Sequence, residues 1–245
     1  MKTLAIAAFL FASACQAQGV GRLAQVQIVD RDTGAALTLH RHRGEWWVAG
    51  KAGGRYAIRV SNPRAGRMLA VMSVDGINVI TGQDAGWNQS GYVFAPGDRY
   101  EVAGWRKSDE EIAAFEFTDP SRSYAALTGR PGNIGVIGLA LFRERPPGTA
   151  AASGSTDAGH ARAESGPARP SLGTGHGERE YSPADTTRFD RLGNTPDEII
   201  RIRYDSYDNL VAMGVIPRQR RVPPVPDAFP QAPAGTYVPD PPAGG

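Results

Sequence analysis

The stretch RYAIRVSNPRAGRMLAVMSVDGINVIT, residues 55–81, decides the fold. It reads as three consecutive β-strands. In the first, Tyr56, Ile58 and Val60 alternate with Arg55, Ala57 and Arg59, the period of two expected of a half-buried strand. The turn Asn62-Pro63-Arg64-Ala65-Gly66 ends it, proline fixing φ and glycine permitting positive φ. Residues 68–74 are then apolar on both faces. Met68, Ala70, Met72 and Val74 share one face and Leu69 and Val71 the other, so a central strand covered on both sides is expected. Asp75-Gly76 is the dipeptide favoured in two-residue type I′ hairpins, whose central positions both need positive φ. Such a turn sets Val74 opposite Ile77 and Met72 opposite Val79, all four on one face.

Working outward, residues 24–29 alternate through Val26 and Ile28 and stop at the turn Asp30-Arg31-Asp32-Thr33-Gly34. Leu37 and Leu39 alternate with Thr38, His40 and His42, and further short strands are expected at 45–48, 91–94 and 99–105. Ser108-Asp109-Glu110-Glu111 reads as a capping box opening one helical turn, after which Phe115 and Phe117 alternate with Glu116 and Thr118. Asp119-Pro120-Ser121 starts a short helix through Leu127, closed by Gly129. Residues 134–142, IGVIGLALF, again read as a buried central strand, in which Gly135 and Gly138 mark a bulge or a close backbone approach. About nine strands with glycine-rich turns make the chain mainly β. A single β-sandwich, immunoglobulin-like or jelly-roll-like, is expected over residues 20–145.

Residues 1–17 have the form of a secretory signal peptide: Lys2, an apolar run over 4–14, then small residues. The run is short of the roughly 20 apolar residues that span a bilayer, so no transmembrane helix is expected after its removal. Two processings compete. Cleavage after Ala14 or Ala17 gives a soluble exported protein, periplasmic or secreted. Alternatively, Ala12-Ser13-Ala14-Cys15 resembles a lipobox and Cys15 carries lipid at the outer membrane, although alanine stands where leucine is usual. Cys15 is the only cysteine, which excludes an internal disulfide, a thiolate zinc site and a cysteine nucleophile in the mature chain. The net charge of +2 with scattered basic residues excludes a nucleic-acid footprint.

After Phe142 the composition collapses. The only aliphatic or aromatic side chain larger than alanine between Arg143 and Glu180 is Leu172, so 146–180 reads as a disordered linker rich in Gly, Ala and Ser. The tail, 217–245, holds nearly half of the 19 prolines and reads as an extended disordered end. Between them lies an island, 181–216. Thr195-Pro196-Asp197-Glu198 could open a helix, but Ile200-Arg201-Ile202-Arg203-Tyr204 alternates strictly. The favoured reading is a strand, then Ser206 capping a short helix from Tyr207 to Met213 closed by Gly214. Such a unit cannot fold alone and must dock on the sandwich or on another molecule.

Chemistry-bearing residues are few. His40 and His42 share a strand face and could share a metal, but no third ligand is near, and no metal or other cofactor is expected. Gly173-Thr174-Gly175-His176-Gly177-Glu178 resembles a phosphate loop only without its strand-to-helix context. Tyr204, Asp205, Tyr207 and Asp208 are the densest polar cluster of the island, suited to a cation or to acid–base work, and equally to a turn and a helix cap. No G-x-S-x-G elbow is present. Of the tryptophans, Trp46 and Trp87 are candidate platforms for a sugar ring; adjacent Trp46 and Trp47 point to opposite faces of their strand.

The segments VDGINVITG, GYVFAPGDRYEVAGWRKS, AAFEFTD, SYAALTG, NIGVIGLALFRE and RYDSYDNLVAMGVI resemble those of a family of exported proteobacterial proteins with no assigned activity. The resemblance covers the sandwich and the island. It implies export and a standing partnership between the two, and adds no catalytic residue.

The expected function is that of an exported, non-enzymatic module of the cell envelope. It would act by strand addition: residues 199–205 pair with a sheet edge, on the same chain or on another envelope protein or a second copy. A carbohydrate- or peptidoglycan-binding sandwich that takes cell-wall glycan is the alternative, and a hydrolase or metal-dependent enzyme the third class.

Overall fold

A computed structural model describes residues 19–146 and 171–218. The expected leader with Cys15, most of the expected linker and residues 219–245 of the tail lie outside the described residues. In chain order the strands are β1 (Gln25–Asp30), β2 (Leu39–His42), β3 (Glu45–Gly50), β4 (Arg55–Ser61), β5 (Met68–Val74), β6 (Ile77–Asn78) and β7 (Tyr92–Phe94). They continue as β8 (Arg99–Val102), β9 (Gly104–Arg106), β10 (Glu111–Thr118), β11 (Val136–Arg143), β12 (Gly173–Tyr181) and β13 (Glu198–Ser206). Two short α-helices, α1 (Tyr124–Leu127) and α2 (Tyr207–Ala212), and two 3-10 turns, Pro120–Arg122 and Pro131–Asn133, complete the set. The protein is mainly β, with two sheets packed as a sandwich.

One sheet has the order β1-β4-β10-β12, with β8 on β4 and β9 on β10; the other runs β2-β3-β13-β11-β5-β6, with β7 on β5. The chain changes sheet between β4 and β5, and Asn62 holds the crossing. Its side chain is buried, and Nδ2 donates to the carbonyls of Gly66, Phe94 and Ala95 at 2.9, 3.0 and 3.1 Å. The hairpin after β5 forms as its dipeptide demands: φ is 53° at Asp75 and 78° at Gly76, and Val74 pairs with Ile77. Val79 N donates to Met72 O, so the register continues as expected.

Period-two patterning explains the core. Tyr56, Ile58 and Val60 of β4 meet Met68, Ala70, Met72 and Val74 of β5 in the main cluster between the sheets, joined by Ile137, Leu139 and Leu141 of β11. The other face of β5 and β11 is also covered. Leu69, Val71, Ala140 and Phe142 form a second cluster under Trp87, Val93 and Phe189. Burying each of the valine, leucine, isoleucine, methionine and phenylalanine side chains among them contributes roughly 1.5–3 kcal/mol. Close approach replaces packing at Gly138, where a Cβ would stand 2.7 Å from Ser73 Oγ across the ladder.

The island folds as strand then helix, but its place differs from an edge. β13 lies inside the sheet, parallel to β3 on one side (Ile202 opposite Trp46) and antiparallel to β11 on the other (Ile202 opposite Ile137). Ile200, Ile202 and Tyr204 point into the main core, which makes insertion between two strands more favourable than edge docking. Ser206 caps α2, and Leu210, Val215 and Ile216 close over Trp47 and Ala49 on the outer face. Both faces of β3 are thereby covered.

Two other expectations fail. The linker does not extend to residue 180: β12 pairs along β10 from Thr118 opposite Gly173 to Glu111 opposite Tyr181. Composition conceals this strand because it contributes a hydrogen-bonding Thr174 rather than a large apolar group, and Gly173 and Gly177 lie against Ser123 and Ala114. The glycine-rich 173–178 run is therefore strand, not loop. Ser108 opens no helical turn. Its Oγ accepts from Glu110 N and Glu111 N inside a tight β9–β10 hairpin closed by Lys107 N donating to Glu111 O. Capping-box chemistry and hairpin-turn chemistry use the same hydroxyl, and the flanking strands decide between them.

Candidate functional site

Two polar regions stand out against this frame, one sealed and one open. The sealed region is centred on Asp75. Held at the hairpin tip, its carboxylate accepts from Tyr204 OH at 2.5 Å and Gly135 N at 2.9 Å on Oδ1, and from Thr174 N at 2.8 Å on Oδ2. Thr174 Oγ1 lies 2.7 Å from both Tyr204 OH and Tyr56 OH. Each hydroxyl has a single proton, so the donor at Asp75 sets the rest of the chain. Tyr56 donates to Thr174, Thr174 to Tyr204, and Tyr204 to Asp75. The four side chains come from β4, β12, β13 and the β5–β6 hairpin, so the network ties both sheets together. Burial pushes the Asp75 carboxyl up to about 6 against the pull of its donors, and pushes both tyrosines well above their ordinary range. With Tyr56 and Thr174 wholly buried, nothing in the network meets solvent for a substrate to reach.

The open region is a cleft of about 780 Å³ between β7 of one sheet and β8–β9 of the other, bordered by residues 182–191. That border is fastened at several points. Ser182 N donates to Glu110 O and Ala184 N to Asp109 O; Arg67 reaches Glu144, Thr187 Oγ1 and Arg188 O. Arg191 sits 4.3 Å over the Phe142 ring and donates to the carbonyls of Trp87 and Gln89. On the other side Arg106 donates through Nε and Nη2 to Tyr92 OH at 3.3 and 3.2 Å, and through Nη1 to Ser182 O. Tyr92, the exposed Tyr100, Asn88, Ser90 and Thr186 add ring faces, amide and hydroxyls to the lining. Such a mixture on a rigid scaffold suits reversible recognition of a polar ligand with an apolar face.

The structure separates the residues singled out from the sequence. Trp46 packs against the main core with Arg41 5.5 Å over its ring, and Trp87 packs against the outer cluster. Tyr204 belongs to the sealed network. Asp205, also buried, accepts from Ser171 N at 3.0 Å, Ser206 N at 2.7 Å, and the side chains of Ser171 and Asn209, which makes it the clasp at the start of α2. Tyr207 and Asp208 are exposed on α2. His40 and His42 stand opposite Trp47 and Glu45, and among the described residues no group of three His, Cys, Asp or Glu is placed to hold a metal ion. His176 stacks on Tyr124 at 5.8 Å. Nor is any described helix long and apolar enough to cross a membrane.

Sequence reasoning missed the cleft residues Tyr92, Tyr100, Arg106 and Arg191. Three of them lie in the contiguous run 91–108 and Arg191 lies far along the chain; they share no motif, so only the closure of the sandwich brings them to one cleft. Fold and site together define a β-sandwich with a side cleft. The chain matches no family model, no curated protein and no solved structure.

Proposed function

We propose that the protein is an exported, non-enzymatic binding module of the cell envelope whose ligand occupies the cleft between β7 and β8–β9. The observation that carries this reading is the cleft itself: about 780 Å³, within the range of sites for small ligands, on a frame fastened by the core and the Asp75 network. Export is supported by the leader pattern of residues 1–17, and a cell-wall glycan fragment suits the tyrosine faces, amide and hydroxyls of the lining. The test is a titration of the purified protein with soluble cell-wall fragments, followed by amide chemical shifts. Shifts confined to β7, β8 and residues 182–191 are expected; shifts at other places, or none, overturn the reading.

A second reading is favoured by a different observation. Residues 199–205 have both edges paired within this chain, so strand addition by that segment to a neighbour is not supported. β12, however, ends its sheet, with β10 as its sole strand partner among the described residues. A protein partner, or a second copy, would add there. In-cell crosslinking that joins β12 to a specific partner supports this reading; crosslinks to no protein, with recovery on cell-wall material, count for the cleft.

A further inference from the structure

We propose that the cleft recognises a carboxylate group on its ligand, with Arg106 and Arg191 as its cationic anchors; this rests on the cleft being the binding site. Eight described arginines are half-buried. Five of them, Arg31, Arg59, Arg67, Arg130 and Arg203, face a carboxylate of this chain at distances from 2.6 to 3.3 Å. Arg106, Arg145 and Arg191 do not, among the described residues, and two of these three line one cleft.

A cation that has lost part of its hydration without gaining a counter-ion is unfavourable, and a ligand carboxylate supplies what is missing. The cost is visible at Arg191, whose guanidinium is pushed down by burial. Geometry adds to charge. A guanidinium has five N–H donors in a planar fork. The contacts described above use three on Arg106 and two on Arg191, and the carbonyls and Tyr92 that accept them hold both planes in place. Fixed guanidiniums with donors to spare are suited to bidentate carboxylate contacts.

The acidic groups of the cleft limit the ligand further. Glu101 is engaged by Arg59 at 2.6 Å, but Asp109 and Asp185 are exposed along the lining. They disfavour a polyanion and tolerate an amine. A fragment with one carboxylate, as in a sugar acid or a short peptide, fits this balance of charge.

Matched pairs of probes test the idea on the full exported chain. One pair is a uronic-acid trisaccharide and its methyl ester, the other a tripeptide and its C-terminal amide, each titrated by calorimetry and amide shifts. Carboxylate forms should bind about tenfold tighter than their neutral partners, the scale of one charge-assisted contact. Arg106→Gln should lower that preference, with Arg191 supplying what remains, and Arg106→Lys, which keeps the charge without the fork, should lower it less. The pair that shows the preference identifies the source of the group. Equal binding of acid and neutral forms with shifts in the cleft overturns the carboxylate assignment and leaves the cleft standing. If no probe shifts a cleft residue, both fall.

Discussion

The Asp75 network and the cleft are both polar regions in contact with apolar core, and they differ in how their hydrogen bonds are used. At Asp75 the contacts are internal: three donors converge on one carboxylate, and two tyrosines and a threonine form a directed chain behind it. In the cleft two half-buried guanidiniums are positioned by carbonyls and a phenol but have no carboxylate partner among the described residues. Complete satisfaction indicates a part that holds the fold, and a charge left uncompensated indicates a part that meets something else. Burial alone does not make that distinction.

The strongest way to break the comparison is Asp75→Ala. It strands Tyr204 OH, Gly135 N and Thr174 N, each costing about 1–3 kcal/mol when unsatisfied, and puts alanine at a φ of 53°. Urea unfolding should show a loss above about 3 kcal/mol, or no folded protein. A loss under 1 kcal/mol would mean the network is not what joins the sheets.

The pH dependence comes next. Asp75 titrates near 6 in the fold against an ordinary value of 3.8. A raised carboxyl binds its proton more tightly when folded, so its contribution is most favourable below pH 4, declines between 4 and 6, and is flat above. The stability of the native chain minus that of Asp75→Asn should therefore fall by about 2.5 kcal/mol from pH 4 to pH 7, at 1.36 kcal/mol per unit over the part of the shift inside that window. Using the difference removes carboxylates shifted the other way, such as Glu180, which its hydrogen bond from Arg31 holds below the usual range. A difference that stays constant with pH would remove Asp75 as the titrating group.

Tyr204→Phe is milder. It deletes one link, leaving the Thr174 hydroxyl and Asp75 each short of a partner, and should cost about 1–2 kcal/mol by chemical denaturation. Smallest is Tyr100→Ala on the cleft side. Tyr100 is 55% exposed, so stability should change by no more than about 0.5 kcal/mol while ligand titrations weaken. Equal stability losses at Tyr204 and Tyr100 would erase the distinction between the two regions.

The two regions also differ in how far they could be read from residue order. The hairpin at Asp75-Gly76 was legible because its turn requires positive φ at two adjacent residues and few dipeptides accept that. The carboxylate's partners were not. Thr174 lies in a glycine-rich run with no strand pattern, and Tyr56 reads only as an inward strand position. Tyr204 and Asp205 stand out in the sequence for their chemistry, but their roles follow from β13 being inserted between β3 and β11. The cleft left no local trace, because each of its residues is ordinary in its own segment.

What the sequence by itself determined is local or periodic: the strands of residues 55–81, the central character of β5 and β11, the strand-then-helix form of 198–212, and the mainly-β class. Those features rest on side-chain alternation and turn stereochemistry, which act between near neighbours. Only the tertiary structure decided that 173–181 is a strand, that β13 lies inside its sheet, that Trp46 and Trp47 are both covered, and that Arg106 and Arg191 share a cleft. Each depends on partners far away in the chain. Backbone hydrogen bonds pair any residue that closes the ladder, and unpaired charge is defined by what stands nearby in space.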